Sequence, residues 1–248
     1  MSQPAFSALA PLPFDLVYDD GEPLESGWHV FQMYLLLDLI PKAMAEQGRS
    51  DFYVGGNSFV YYSIEQARDV ASSRPYFRGP DVFWVDGVAP TPIRKAWVAW
   101  EEGGRLPDVI FELLSSSTAH IDRNEKKVLY AEAFRTSEYF LYDPETLKLE
   151  GYRLMGSVYR PMIPNSQGRF WSQQLGVFVG PWHGIRDRHE ADWVRLFRPD
   201  GTLVPTPGEQ VEAERQRAEA ERQRAEEAEA EVARLRALLE GGQRTGSD

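Results

Sequence analysis

The sequence predicts an α/β (α+β) fold: a mixed β-sheet flanked by helices, then a β extension and a helical tail. Three observations predict it. An amphipathic run at 26–47 precedes a series of short apolar runs. A second helical pattern, beginning near Arg123, separates the last two of those runs. From residue 206 the composition changes to Glu, Arg and Ala repeating every seven residues.

Taken in order, residues 1–25 are acidic and spotted with proline, and are expected as an extended lead-in. "SGWHVFQMYLLLDLIPKAMAEQ" follows, with Ser26 as N-cap and apolar residues at 30, 33, 34, 37 and 40. Pro41 is expected to kink or end this helix. Strands are predicted at 51–62, 81–85, 95–102, 108–114 and 138–145. "KLEGYRLMGSVYRPM" and "WVRLFRPDGTLV" read as antiparallel hairpins with Gly and Pro turns. The domain therefore spans 26–205 and the tail 206–248. In the tail Val211, Ala218, Ala225, Val232 and Leu239 share one heptad position, with Ala228 and Leu235 at a second. Glu214 and Glu221 hold that second position upstream, and Arg217–Glu221 and Arg215–Glu219 are spaced for pairing along one helix. A weak coiled coil and a solvated solitary helix both fit.

Bulk properties narrow the function. Of 248 residues 42% are hydrophobic and 12% aromatic, enough for a real core. No apolar run approaches the length of a membrane span, and the start lacks the pattern of a signal peptide, so a cytoplasmic protein is predicted. The absence of cysteine excludes disulfides, thiolate zinc sites and cysteine nucleophiles. From Glu209 onward 11 acids face 7 bases, a net of −4 within a total of −11, so the rest carries −7. Binding to DNA would then rest on a local basic groove and bound cations.

Chemistry concentrates in "PDVIFELLSSSTAHIDRNEKKVLYAEAF", 107–134. Asp108 and Glu112 share one face of a strand but lie about 13 Å apart, too far for one metal ion. The second ligand must come from another strand, and Asp81 in "GPDVFWV" is the best candidate. Antiparallel neighbours would bring Asp81 to Glu112; parallel neighbours would bring it to Asp108. "DRNE" reads as a capping box starting a helix near Arg123. On it Lys126, Leu129, Tyr130, Ala133 and Phe134 form the buried stripe, and Lys127 turns toward solvent. Two carboxylates and a lysine beside one cation suit phosphodiester hydrolysis. A purely structural Glu112–Lys126 ion pair also fits these residues. His29 reads either as a phosphate donor or as a satisfied packing residue. Arg94, Lys95, Trp97 and Trp100 read either as a flap that touches nucleic acid or as strand packing.

The segments "ESGWH", "GPDVFWV", "WEEG", "PDVIFELLS", "EKKVLY" and "EYFLYDPE" resemble the PD-(D/E)xK nuclease superfamily, and more narrowly its Uma-type family of restriction-endonuclease-like proteins. "PMIPN", "LFRPDG" and the Glu/Arg/Ala tail extend the resemblance over most of the chain. It implies Asp81 and Glu112 as ligands of Mg²⁺ (or Mn²⁺), and Lys126 as the catalytic base or orienter. In the superfamily the lysine usually lies two residues after the acid, where this chain has Leu114; Lys126 matches the variant in which it has moved to the following helix. Asp108 and His29 are peripheral in this reading. The function implied is an endonuclease acting on DNA as a homo-oligomer, a dimer being the simplest. The alternative is a non-catalytic binding or scaffold protein that keeps the fold and oligomerises through its tail.

Overall fold

The computed structural model describes residues 12–17, 26–72, 79–186 and 188–244, with side chains to residue 235. Most of the predicted lead-in lies outside the described residues. Within it 12–17 form neither helix nor strand, and Phe14, Leu16 and Val17 pack against Phe59, Tyr61, Ala67, Ala96 and Val98.

Helix α1, Gly27–Glu46, begins where the sequence places it, with the Ser26 hydroxyl accepting from the His29 N–H. It does not end at Pro41, which sits inside it. An interior proline costs about 3 kcal/mol. Beyond it Ala43 and Met44 are fully buried, and with Leu35, Leu36, Leu39 and Ile40 they make α1 the spine of the main core. Burial of each large apolar side chain is worth about 1.5–3 kcal/mol, which offsets the break.

The predicted run 51–62 divides into β1, Phe52–Gly56, and the two-residue β2, Val60–Tyr61. A short helix, α2 (Ile64–Ala71), follows, capped by the Ser63 hydroxyl on the Gln66 N–H. Then come β3 (Val82–Asp86), the brief β4 (Trp97–Val98), β5 (Val109–Leu113), a helix over 119–134 and β6 (Glu138–Asp143). The predicted strand 95–102 shrinks to β4 because 99–104 turns back on itself through left-handed Gly103 and Gly104. β7 (Lys148–Met155) and β8 (Val158–Pro161) form the first predicted hairpin. The second differs: β11 (His189–Phe197) pairs along its whole length with β10 (Val177–Arg186), and "RPDG" closes a single bridge, Phe197 to Leu203. β10 also pairs with β9 (Phe170–Ser172).

The main sheet has the order β1-β3-β5-β6-β7-β8, with β5 and β6 parallel and its other pairs antiparallel. Alternation along the central strands sorts side chains to two faces. Val82, Trp84, Val109, Phe111 and Phe140 meet α1 and the β9–β11 sheet; Phe83, Val85, Ile110, Leu114 and Leu141 meet the 119–134 helix. The chain divides into two compact units between Val204 and Pro205. The second unit is a single helix, Pro207–Arg244, with Val211, Val232 and Leu235 exposed. Among the described residues no helix is long and apolar enough to cross a membrane.

Candidate active site

Three residues ahead of β3 prepare the site. A Cβ on Gly79 would lie 1.7 Å from the Ser58 carbonyl oxygen, so the close approach requires glycine. Pro80 and Asp81 follow. β3 runs antiparallel to β5 with Val82 opposite Phe111, and continuing that register sets Asp81 against Glu112 and Pro80 against Leu113. Proline has no N–H to continue the ladder. Side chains complete it instead. Leu113 N–H donates to Asp81 Oδ2 (2.6 Å), and the Leu113 carbonyl accepts from His29 Nε2 (2.8 Å). A carbonyl can only accept, which assigns the proton to Nε2 and leaves Nδ1 to the Ser26 hydroxyl at 2.9 Å. Both His29 nitrogens are therefore engaged within the protein, and its role is to fasten the end of β5 to the start of α1.

Glu112, on the same face as Asp81, points toward the 119–134 helix and is 2% exposed. Its Oε1 accepts from Lys126 Nζ (2.9 Å) and Tyr130 Oη (2.8 Å). The helix that brings these groups does not start at the predicted capping box. It begins at Ala119, where the Ser115 hydroxyl accepts from Thr118 N–H, and alternates α and π turns: Ala119–Ile121, Asp122–Lys126, Lys127–Leu129 and Tyr130–Phe134. Asp122 is thus interior to the helix, and Lys126 lies beyond its first turn, so no N-terminal dipole acts against the lysine as it would at the predicted start. The wide turns also change which residues share a face. In a pure α-helix a four-residue step overshoots one turn by about 40°, and such a row winds off the face. The π turns take up the excess. Asp122, Lys126, Tyr130 and Phe134 therefore line up toward the sheet, while Ala131 is buried and Ala133 exposed, the reverse of an α-helical stripe. Lys127 is not free in solvent; its Nζ lies 3.4 Å from the centre of the Tyr152 ring.

Asp122 is the residue that sequence reasoning missed. It is as buried as Glu112, and its Oδ1 is 2.8 Å from Lys126 Nζ. That contact is an ion pair by distance without the alignment of a hydrogen bond. Tyr139 Oη donates to the Asp122 carbonyl (3.0 Å) and holds this π turn. The signal was present in the sequence: an acid four residues before a lysine, and a tyrosine four residues after it.

Electrostatics bind these groups into one site. Desolvation raises the pKa of the Asp81 carboxyl, with the charge of Lys126 opposing it. Glu112 is pushed well above its ordinary value, again chiefly by burial. Burial alone would lower Lys126, but Glu112, Asp122 and Asp81 together outweigh it and hold the ammonium charged. Three carboxyl groups act on one ammonium, so full ionisation of the acids would leave a net charge of minus two, which one divalent cation would balance. Among the described residues no group of three His, Asp or Glu side chains is spaced to hold a metal ion. The donor set nevertheless fits a hard cation. Asp81 commits Oδ2 to Leu113, and Glu112 commits Oε1 to Lys126 and Tyr130, so each retains a carboxylate oxygen. Mg²⁺ characteristically takes one or two carboxylates and keeps water or phosphate in its other positions.

Asp108 stands apart. Its Oδ2 accepts the Asp86 N–H (2.9 Å) and lies 3.5 Å from Arg105, closing the far end of β3 and β5. Leu114, in the place where a strand lysine is usual, is buried in the core. The aromatic and basic segment packs inward: Trp97 is fully buried with its Nε1–H on the Arg105 carbonyl, and Arg94 is paired with Glu102 and stacked over Tyr53 and Trp97. The nucleic-acid flap is thereby replaced by ordinary packing.

A mixed sheet with helices on both faces, and two acids and a lysine grouped at the end of paired central strands, defines a restriction-endonuclease-like fold. The chain belongs to the Uma2 family, described as "Putative restriction endonuclease", whose model matches residues 5–182. No curated protein matches the chain. Among solved structures it is similar to a "putative nuclease belonging to DUF820" from Anabaena variabilis, at 14% identity and a TM-score of 0.40, over 60% of this chain and 78% of that one.

Proposed function

We propose that the protein hydrolyses phosphodiester bonds in DNA with Mg²⁺ or Mn²⁺ bound by Asp81 and Glu112. The observation that carries the reading is the antiparallel register of β3 and β5, which sets Asp81 beside Glu112 with Lys126 Nζ 2.9 Å from the latter. When bound, the cation would polarise the phosphate and lower the pKa of a coordinated water. Lys126 supplies a fixed positive charge for the phosphate oxygens and a donor that orients the attacking water. Tyr130 holds Glu112 in place through its hydroxyl. His29, through Leu113, fixes the backbone to which Asp81 is tied. The active form is a dimer, whose two sites cut both strands. The repeated apolar positions of the tail helix, with Val211, Val232 and Leu235 exposed, support pairing there.

Cleavage of duplex DNA in Mg²⁺ or Mn²⁺ tests the reading. Glu112→Gln is expected to fold and to lose activity by about 10³-fold; unaltered cleavage would overturn the assignment. The buried Leu114 favours a second reading, a scaffold that has kept the fold without the chemistry. A wild-type protein that binds neither cation in calorimetric titration would decide for the scaffold.

A further inference from the structure

We infer that Asp122, which the acid–acid–lysine reading does not use, is a positioning residue that sets the site's affinity for a divalent cation and keeps Lys126 in place when one is bound. The inference rests on the proposed cation site and adds a third acid to it. Three observations carry it. Lys126 Nζ is shared almost evenly, 2.9 Å from Glu112 and 2.8 Å from Asp122. Asp122 is 2% exposed, and its Oδ1 meets the ammonium at 2.8 Å without the alignment of a hydrogen bond. The stride of four through the π turn Asp122–Lys126 keeps Asp122 in line with Lys126 and Tyr130, the two residues that bond Glu112.

The physical consequence follows from charge. An ammonium paired with Glu112 alone competes with any cation for the same carboxylate. With Asp122 as its second anchor, Lys126 retains a buried counter-charge when Glu112 turns its own to the cation, so it stays at the site. Asp122 also contributes one of the three negative charges that make the pocket attractive to a divalent ion. A carboxylate serving only to stabilise the helix would affect melting temperature and neither of these properties.

Calorimetric titration of Mn²⁺ into wild type, Glu112→Gln and the isosteric Asp122→Asn separates the outcomes. Asp122→Asn is expected to weaken Mn²⁺ binding about tenfold, the effect of roughly one partly screened charge. At saturating Mn²⁺ it should lower kcat for DNA cleavage while leaving KM unchanged, because Asn cannot anchor the ammonium. Asp122→Glu, which keeps the charge, should recover part of the lost affinity. If wild type binds Mn²⁺, Glu112→Gln does not, and Asp122→Asn matches wild type in both affinity and kcat, this inference fails and the cation site stands. If Glu112→Gln binds as wild type does, the cation site fails, and with it the inference.

Discussion

Glu112 and Glu138 are both almost fully buried, both on neighbouring parallel strands of one sheet, and are used differently. Glu138 opens β6 opposite Val109, and every donor around it is satisfied: Arg153 and the Gln173 N–H reach Oε1 (3.0 and 2.8 Å), and the Ser172 hydroxyl takes Oε2. Arg153 in turn donates to the Trp171 carbonyl, so this carboxylate ties the β9–β11 extension to the main sheet. Glu112, opposite Leu141 near the other end, shares a single ammonium with Asp122 and Asp81 and keeps one oxygen uncommitted. Burial therefore does not distinguish the two glutamates. Neutralisation does. A buried acid with a cation of its own and a full set of donors is a fastener, while Glu112, one of three acids around one ammonium, is the one that the proposed cation would neutralise.

The largest effect expected from this contrast is on stability. Glu138→Gln should cost about 2–3 kcal/mol in chemical denaturation, since it strands Arg153 and weakens two further bonds. Mn²⁺ affinity should not change; a protein as stable as wild type would erase the distinction between the two glutamates. A smaller effect separates them by pH. The folded-state value of Glu112 is raised above its ordinary 4.5, so its contribution to stability is fully present below that pH and is lost as the pH climbs through the folded value. In the absence of cations, wild type should thus lose thermal stability relative to Glu112→Gln over the range in which the pH rises above 4.5. A constant difference in melting temperature across that range would contradict it. The smallest effect belongs to Asp108→Asn, which keeps an oxygen for the Asp86 N–H and should cost less than about 1 kcal/mol with cleavage unchanged.

The parts of this fold legible in the sequence are those where one local signal dominates. Ser26 before an apolar 3.6 period gave the start of α1, and the short apolar runs at 81–85 and 108–114 gave β3 and β5. The choice between Glu112 and Asp108 as the partner of Asp81 hung on strand direction, a long-range property that short-range patterns do not carry. Asp122 was hidden for another reason. "DRNE" is a true capping-box pattern, but the hydroxyls of Ser115 and Thr118 start the helix one turn earlier, and two π turns then shift the facing row. Trp97 was left open between a contact surface and strand packing, and the fold takes the second course, sinking the ring and pairing Arg94 with Glu102.

Pro80 gives the end of the β3–β5 pairing an uncommon kind of last rung. Where a paired strand would have met Leu113 with rigid main chain, the last rung is supplied by the Asp81 carboxylate and the His29 imidazole. A rung of that sort opens by rotation about a side-chain bond rather than by unzipping a sheet. The end of the sheet beside the two acids is thus fastened by side chains, while Phe111 and Leu113 behind it are sunk in the main core.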